Sequence, residues 1–266
     1  MEKCLVTKLK AVVNNPDLPY LEIMQQFTLD AITASGNTAL SDEQKWALNH
    51  FFYRIGAITD SGIYSKLQVL ALPFIAVSLD TALNNYIQDG SSFADKDARA
   101  TFADGALGSS LSSGTLTICS YAATSGKDNN SFLFVAGDAR PSSKIITDSR
   151  TYSAAYNGTN NVASLDSSPY TQYSTVASST LSGVISLIAF NIETSAIKLC
   201  YADGDSVNKV VPGTLHTGEL LGEDVNSFSP IATPSTQLKG FAYGSGLTED
   251  EALEFAKAYH ELTKSF

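Results

Sequence analysis

Four tyrosines and a run of asparagines form the group of residues best suited to bind a ligand. Tyr152, Tyr156, Tyr170 and Tyr173 flank the run Asn157-Gly158-Thr159-Asn160-Asn161. Flat aromatic rings stack on the apolar faces of sugars, while amide and hydroxyl groups bond the sugar hydroxyls. The ligand-binding residues that we predict are Tyr152, Tyr156, Asn157, Asn160, Tyr170 and Tyr173. The alternative, which the residues alone favour, is a tyrosine-rich sheet edge or a protein–protein contact.

Groups that could catalyse a reaction are scarce. Hydrolysis of a glycosidic bond needs two carboxylates about 5–10 Å apart, yet no glutamate occurs between Glu43 and Glu193. No two aspartates alternate within an apolar strand, and the sequence lacks the Gly-x-Ser-x-Gly motif of a nucleophilic serine. We therefore predict no catalytic residues, and we expect that the chain is not an enzyme.

One segment carries closely spaced oxygen ligands. Asp203-Gly204-Asp205-Ser206-Val207-Asn208 has the spacing of a calcium loop but lacks its distal glutamate. The same residues explain a tight turn, because Asp, Gly and Asn tolerate left-handed backbone. The three cysteines, Cys4, Cys119 and Cys200, are far apart and form no CxxC motif, so we expect small buried side chains. We predict no metal and no cofactor.

The candidate ligand residues lie in a long β-rich stretch, from about residue 91 to residue 247. Short β-branched or aromatic runs alternate there with clusters of Ser, Thr, Asn and Gly, and Asp203-Gly204 signals a hairpin. Such a pattern without helical periodicity predicts a mostly β, antiparallel sandwich. The predicted strands are Thr115–Ala122, Phe132–Ala136, Lys144–Thr147, Val184–Ile192, Ala196–Tyr201, Val207–Val211 and Lys239–Tyr243.

Two amphipathic helices bracket this stretch. Each begins with a capping box, Ser41 with Gln44 in the first and Thr248 with Glu251 in the second. The spacing predicts two buried stripes, which are Trp46, Leu48, Phe51, Phe52 and Ile55, and Ala252, Phe255, Ala256, Tyr259 and Leu262. Between the first helix and the sandwich we predict a short turn or helix over Gly62–Leu70 and another helical turn over Asp80–Tyr86.

The domain organisation follows from these elements. Residues 1–38 are predicted to be a strand-containing anchor or assembly segment, with a hinge at Ser35-Gly36-Asn37. Cys4–Val13 alternates like a strand and carries Lys8 and Lys10 on one face, so it could add to a partner's sheet or pair with the chain's own. Residues 39–266 form the second unit, with a helical lead-in over 39–86 and a C-terminal helix over 248–265.

Composition excludes several classes of partner. The net charge is −10 and no Lys/Arg cluster occurs, so the surface repels nucleic acid. The longest apolar stretch, Leu67–Val77, is too short to cross a membrane, and no apolar signal region follows the N-terminal lysines. We expect no nucleic acid and no membrane among the partners, and folding in a reducing cytoplasm.

The two ends of residues 40–266 resemble a known family. Leu40–Phe74 (LSDEQKWALNHFF…SGIYSKLQVLALPF) and Tyr243–Glu251 resemble the opening and closing motifs of tailed-phage and prophage virion proteins. Tyr64 stands where that family has tryptophan, and Gln68 where it has aspartate. The first residues, MEKCLVTKLKAVVNN, are similar to the start of virion proteins from phages of gut Bacteroidales, including the crAss-like group.

The resemblance implies a fold and a role. It implies a concanavalin A-like (laminin-G-like) jelly roll with an N-terminal and a C-terminal helix packed on it. It also implies a virion structural protein, a head- or tail-fibre or decoration component that binds host-surface carbohydrate and is made in the host cytoplasm. Other capsid or tail proteins would contact the N-terminal segment, and the chain would form a homo-oligomer. The alternatives are a polysaccharide-degrading jelly-roll enzyme and a free lectin.

Overall fold

The computed structural model describes residues 23–82, 84–89, 92–93, 121–122, 131–137, 142–146, 150–156, 160–167, 170–177, 184–191, 196–203, 206–214, 227–231 and 238–266. The predicted strand Cys4–Val13 lies outside these residues. The described helices are α1 (Gln26–Ser35), α2 (Asp42–Ile55), α3 (Leu79–Ala82) and α4 (Glu249–Thr263), with 3-10 turns at Ala57–Thr59, Tyr64–Lys66 and Pro73–Ile75. The described strands are β1 (Leu67–Ala71), β2 (Gln88–Asp89), β3 (Ser92–Phe93), β4 (Tyr121–Ala122), β5 (Ser131–Gly137), β6 (Ser142–Ile146), β7 (Arg150–Tyr156), β8 (Asn160–Ser167), β9 (Tyr170–Ala177), β10 (Val184–Asn191), β11 (Ala196–Asp203), β12 (Ser206–Thr214), β13 (Ser227–Ile231) and β14 (Leu238–Ser245).

Two six-stranded antiparallel sheets form the body of the protein. The first has the order β1-β14-β5-β10-β11-β12 and the second has the order β4-β13-β6-β7-β8-β9. Five strands of the first sheet lie against five strands of the second. In order across the sandwich, the facing strands are β14 and β13, β5 and β6, β10 and β7, β11 and β8, and β12 and β9. The prediction of a mostly β, antiparallel fold is confirmed.

Helices cover part of the first sheet. α4 lies across β10, β11 and β12, and α2 packs along α4. The rings of Phe132 and Phe134 on β5 meet Phe255 of α4 edge to face, with centroids 5.5 and 4.9 Å apart. Edge-to-face contact of this kind adds to the stability that burial of the rings provides. The predicted N-terminal and C-terminal helices are therefore confirmed.

The buried stripes of both long helices match their periodicity, with one exception. Ala252, Phe255, Ala256, Tyr259 and Leu262 of α4 are all buried, as are Leu48, Phe51, Phe52 and Ile55 of α2. Trp46 was predicted to be buried and is only half-buried. It lies in the second turn of α2, two positions before Leu48, so the helical period turns it away from the face that packs on α4.

The segment after α2 differs from the prediction. Gly62–Leu70 was predicted to be a turn or helix, but only Tyr64–Lys66 is helical and Leu67–Ala71 is strand β1. Most of β1 is buried, so the run shows no alternation that would mark it as a strand. Among the described residues of Asp80–Tyr86, only those within α3 are helical. Beyond the helix the chain bonds to β1, where Tyr86 N donates to Leu70 O over 2.7 Å.

Helix α1 lies in the stretch that the sequence assigns to the N-terminal segment. Its Phe27 and Ala31 belong to the same core as α2 and α4. Gly36 ends the helix in the left-handed region with φ 70°, which places the chain reversal at the predicted hinge Ser35-Gly36-Asn37. The hydrophobic core that contains the buried face of α4 therefore also contains residues of the predicted N-terminal segment, from Phe27 onward.

Candidate functional site

Both capping boxes are formed, and they fix where α2 and α4 begin. Gln44 N donates to Ser41 Oγ over 3.2 Å, and Ser41 N donates back to Gln44 Oε1 over 2.9 Å. In α4, Glu251 N donates to Thr248 Oγ1 over 3.2 Å, and Thr248 N donates to Glu251 Oε2 over 2.8 Å. Each box satisfies two backbone N–H groups that a helix start otherwise leaves open.

Arg54 joins α2 to α4. Its Nε donates to Glu254 Oε1 over 2.8 Å, its Nη2 bonds the same oxygen, and its Nη1 bonds Glu261. The arginine side chain is only 6% exposed, whereas the two carboxylates are 41% and 42% exposed. Glu254 and Glu261 are seven residues apart, so they lie two helical turns apart on one face of α4. The guanidinium fork bridges both and fixes the register of the two helices.

His50 lies one turn before Arg54 in α2. Its ring is half-buried, and its Nε2 has no hydrogen-bond partner among the residues that the structure describes. Burial lowers the pKa of His50, and the nearby Arg54 charge lowers it further, while Glu261 and Glu254 act in the opposite direction. The neutral imidazole is therefore the favoured form near neutral pH.

A second ion pair lies at the start of α4. Lys66 Nζ contacts both carboxylate oxygens of Glu251 at 2.6 Å. Burial raises the pKa of Glu251, but hydrogen bonds from Lys66 and Thr248 outweigh that effect, so the pKa is lowered overall. A carboxylate used as a cap and as a lysine partner stays ionised and has no free oxygen to act as an acid or base. The cluster serves structure rather than chemistry.

Tyr64 lies at the position where the virion proteins that this chain resembles have tryptophan. Its hydroxyl donates to Tyr86 O over 2.9 Å and accepts from Gln88 N over 2.7 Å. Burial raises the pKa of Tyr64 to about 12. The hydroxyl thus links the turn before β1 to the residues that follow α3. An indole only donates, so it could make one of these two bonds but not both.

The six positions predicted to bind sugar are divided between two faces of the second sheet. Tyr152 pairs with Leu165 in the ladder between β7 and β8, and Tyr173 pairs with Ser164 in the ladder between β8 and β9. Residues alternate between the faces of a sheet along each strand. The register therefore puts positions 152, 156 and 170 on one face and positions 160 and 173 on the other. Asn157 lies outside the described residues.

The two faces differ in the residues that the register places on them. One row across the sheet consists of Phe228, Ile145, Tyr152, Leu165 and Gln172. A neighbouring row of the opposite face consists of Lys144, Ser153, Ser164 and Tyr173. The first row has the apolar composition of a packed face, and the second has the polar composition of a solvated face.

The hairpin predicted at Asp203-Gly204 is confirmed. β11 and β12 pair antiparallel, with Asp203 opposite Ser206. The two residues between them, which include Asp205 of the candidate calcium loop, lie outside the described residues. Within the described parts of the chain, no group of three or more His, Cys, Asp or Glu side chains is placed to hold a metal ion.

None of the helices in the described ranges is long and apolar enough to span a membrane.

Comparison with known proteins gives only partial structural similarity. No protein-family model matches the sequence, and no curated protein sequence matches it. The chain is similar to a legume lectin-like domain from Entamoeba histolytica, with 8% identity and a TM-score of 0.35 over 51% of this chain and 82% of that one. It is similar to lectin II from Ulex europaeus, with 11% identity and a TM-score of 0.33 over 51% and 84%.

A third similar structure is the CBM40 of the Ruminococcus gnavus IT-sialidase bound to α2,3-sialyllactose. It has 9% identity and a TM-score of 0.31 over 53% of this chain and 98% of that one. These proteins are lectins or sugar-binding modules by name. At this level of similarity they do not identify a ligand or an activity of this chain.

Proposed function

We propose that this chain is a structural protein of a tailed-phage virion, a head- or tail-fibre or decoration component. Its β sandwich would be a concanavalin A-like jelly roll that projects from the particle and binds host-surface carbohydrate. The chain would not be an enzyme, would use no cofactor, and would join the virion after synthesis in the host cytoplasm. Several weak sites on one particle would gain avidity without any new contact.

The observation that carries this proposal is the convergence of two distant motifs. Residues 40–74 and 243–251 carry the resemblance to virion proteins, and the two ranges contact each other in the folded domain. β1 pairs with β14, and Lys66 bonds Glu251. Residues of the two motifs that resemble virion proteins are thus paired in one sheet and joined by an ion pair.

The register of the second sheet supports carbohydrate binding on one of its faces. The row Lys144, Ser153, Ser164 and Tyr173 combines an aromatic residue, two hydroxyls and a cation. Asn160 belongs to the same face. We propose that this face contacts the sugar and that Tyr152, in the apolar row, packs between the sheets. A ring stacked on a sugar and hydroxyls bonded to it are the usual elements of such a site.

Binding of host polysaccharide to two full-length variants tests this assignment. Tyr173→Ala should weaken binding about fivefold, since a stacked ring contributes about 1 kcal/mol, and should leave the melting temperature unchanged. The matched control Tyr152→Ala should lower the melting temperature and leave the affinity of the folded protein unchanged. Equal loss of affinity in both variants would contradict the assignment. Release of new reducing ends from the polysaccharide would show an enzyme instead.

A further inference from the structure

The charged positions of the second sheet are few, and the register separates them. Its described strands contain three charged residues, which are Lys144 of β6, Arg150 of β7 and Asp166 of β8. Lys144 belongs to the polar row that ends at Tyr173. Arg150 lies two positions before Tyr152, so alternation along β7 places it on the face of the apolar row. Lys144 is therefore the one cation that the register places on the polar face of the described strands.

Asp166 belongs to the same face as Tyr173 and lies near it. It follows Ser164 by two positions, and Ser164 pairs with Tyr173, so Asp166 and Tyr173 are diagonal neighbours on adjacent strands. Such neighbours are about 7–8 Å apart, within reach of aromatic and long side chains. A carboxylate accepts hydrogen bonds from sugar hydroxyls but repels an anionic group. The part of the face around Tyr173 therefore suits a neutral sugar unit.

Lys144 lies at the other end of the polar row. Three strand intervals separate it from Tyr173, with Ser153 and Ser164 at the positions between them. At the usual strand spacing the two backbones are about 14 Å apart, which is longer than a single sugar ring. An ammonium group donates charge-assisted hydrogen bonds to a carboxylate or a phosphate. The two ends of the row thus suit groups of different charge.

We propose that the polar face binds an acidic oligosaccharide, with a neutral unit at Tyr173 and Asp166 and an anionic group, a carboxylate or a phosphate, at Lys144. This inference rests on the proposed function, because it names the class of sugar that the same face takes. The serine positions between the two ends supply hydroxyls for the intervening unit. The difference in charge between the ends sets the direction in which the oligosaccharide lies.

Binding of the full-length protein to three forms of host polysaccharide tests the class of sugar. One form is untreated, one has its carboxyl groups reduced to alcohols, and one has its phosphate groups removed. Lys144→Met should weaken binding to the untreated form about tenfold, because a charge-assisted hydrogen bond is lost. The natural protein should lose about the same factor on the form that lacks the anionic group, and Lys144→Met should weaken binding to that form no further. The form that shows this loss tells a carboxylate from a phosphate.

Two further variants separate position from overall charge. Arg150→Met is the matched control, since it removes one positive charge from the same sheet but on the opposite face. Its folded protein should bind the untreated polysaccharide with the natural affinity. Asp166→Ala should weaken binding to all three forms about fivefold, because its carboxylate bonds the neutral unit that they share.

Three outcomes overturn the inference. If the natural protein binds all three forms with equal affinity, the ligand is neutral. If Arg150→Met weakens binding as much as Lys144→Met does, the effect is one of overall charge. If Tyr173→Ala weakens binding and Lys144→Met does not, the anionic end is absent, although the carbohydrate part of the proposed function stands. Failure of the natural protein to bind any form would remove that part of the proposed function as well.

Discussion

Lys66 and Glu251 are 185 residues apart in sequence, and the lysine Nζ lies 2.6 Å from each carboxylate oxygen. The same carboxylate accepts from Thr248 N to complete the capping box of α4. One side chain therefore joins the last helix to the turn that enters β1. Because Lys66 and Glu251 lie in the two motifs that resemble virion proteins, this contact is also where those motifs meet.

Substitution of Glu251 should change how stability depends on pH. The folded-state pKa of Glu251 lies below its ordinary value of 4.5. Its contribution to stability is therefore present above pH 4.5 and is lost as the pH falls below that value. Glu251→Gln should be less stable by about 1 kcal/mol at neutral pH, and urea unfolding should show a smaller difference from the natural protein at pH 3. A constant difference across this range would contradict the assignment.

Replacement of Arg54 should destabilise the contact between α2 and α4. Arg54→Lys retains the charge, but a single ammonium group cannot bridge two carboxylates two turns apart. We expect a loss of about 2 kcal/mol in the free energy of unfolding, because the replaced side chain is almost fully buried. The control is Lys45→Met, which removes the exposed pair with Asp42 at 3.6 Å and should cost less than about 0.5 kcal/mol. Equal losses of unfolding free energy in the two variants would show that the Arg54 bridge stabilises the protein no more than an exposed ion pair does.

His50 should make the protein less stable in mild acid. Burial and the Arg54 charge lower its folded-state pKa below 6.5. The unfolded chain therefore binds a proton more readily than the folded chain as the pH falls below 6.5, and stability declines in that range. His50→Gln should remove this decline between pH 6.5 and 5 in thermal unfolding. A variant with the same pH profile as the natural protein would show that another group titrates there.

The cap of α1 should depend on Asn49. This buried residue of α2 accepts from Gln25 N over 2.9 Å and from Thr28 Oγ1 over 2.8 Å. Asn49→Ala removes the acceptor of one buried and one half-buried donor and should cost about 2 kcal/mol. Gln26→Ala, which removes only an exposed bond to Asp30, is the control and should be nearly neutral. Hydrogen exchange of the α1 amides measures the local effect directly.

Gly244 should tolerate no side chain, because a Cβ there would lie 2.2 Å from the backbone oxygen of Lys66. Gly244→Ala would force β1 and β14 apart, and we expect a loss of more than about 3 kcal/mol. Gly246→Ala is the matched control, since nothing lies within 4 Å of its Cβ position and only its φ of +80° opposes the change. That variant should lose about 1 kcal/mol. Similar melting temperatures for the two variants would contradict the packing described.

Local signals were sufficient to predict α2 and α4 from sequence. Their caps are formed by residues three positions apart, and their stripes repeat at the helical period. Helix α1 was missed for a physical reason, since its N-cap Gln25 makes no side-chain capping bond. The acceptor comes from Asn49, 24 residues away, and no local pattern reveals it.

The strands were predicted where β-branched and aromatic residues concentrate, as in β5, β10 and β11. β7, β8 and β9 were not assigned as strands, because their Ser, Thr and Asn content resembles that of loops. The ligand residues were chosen from these strands by type alone. Whether two of these residues share a face depends on the register in which β7, β8 and β9 pair. The sequence does not specify that register unless the geometry of the turns between the strands is known.

The most direct test of the proposed function is recovery of this chain from purified phage particles. Particles are banded on a density gradient, and the copy number of the chain is measured by quantitative mass spectrometry. Deletion of residues 1–22 leaves α1 and its contacts with Asn49 in place, and it serves as the comparison. The proposal predicts a fixed copy number for the full chain and loss of the deleted chain from the band. A full chain that stays in the soluble fraction, with no peptides in the particle band, would contradict it.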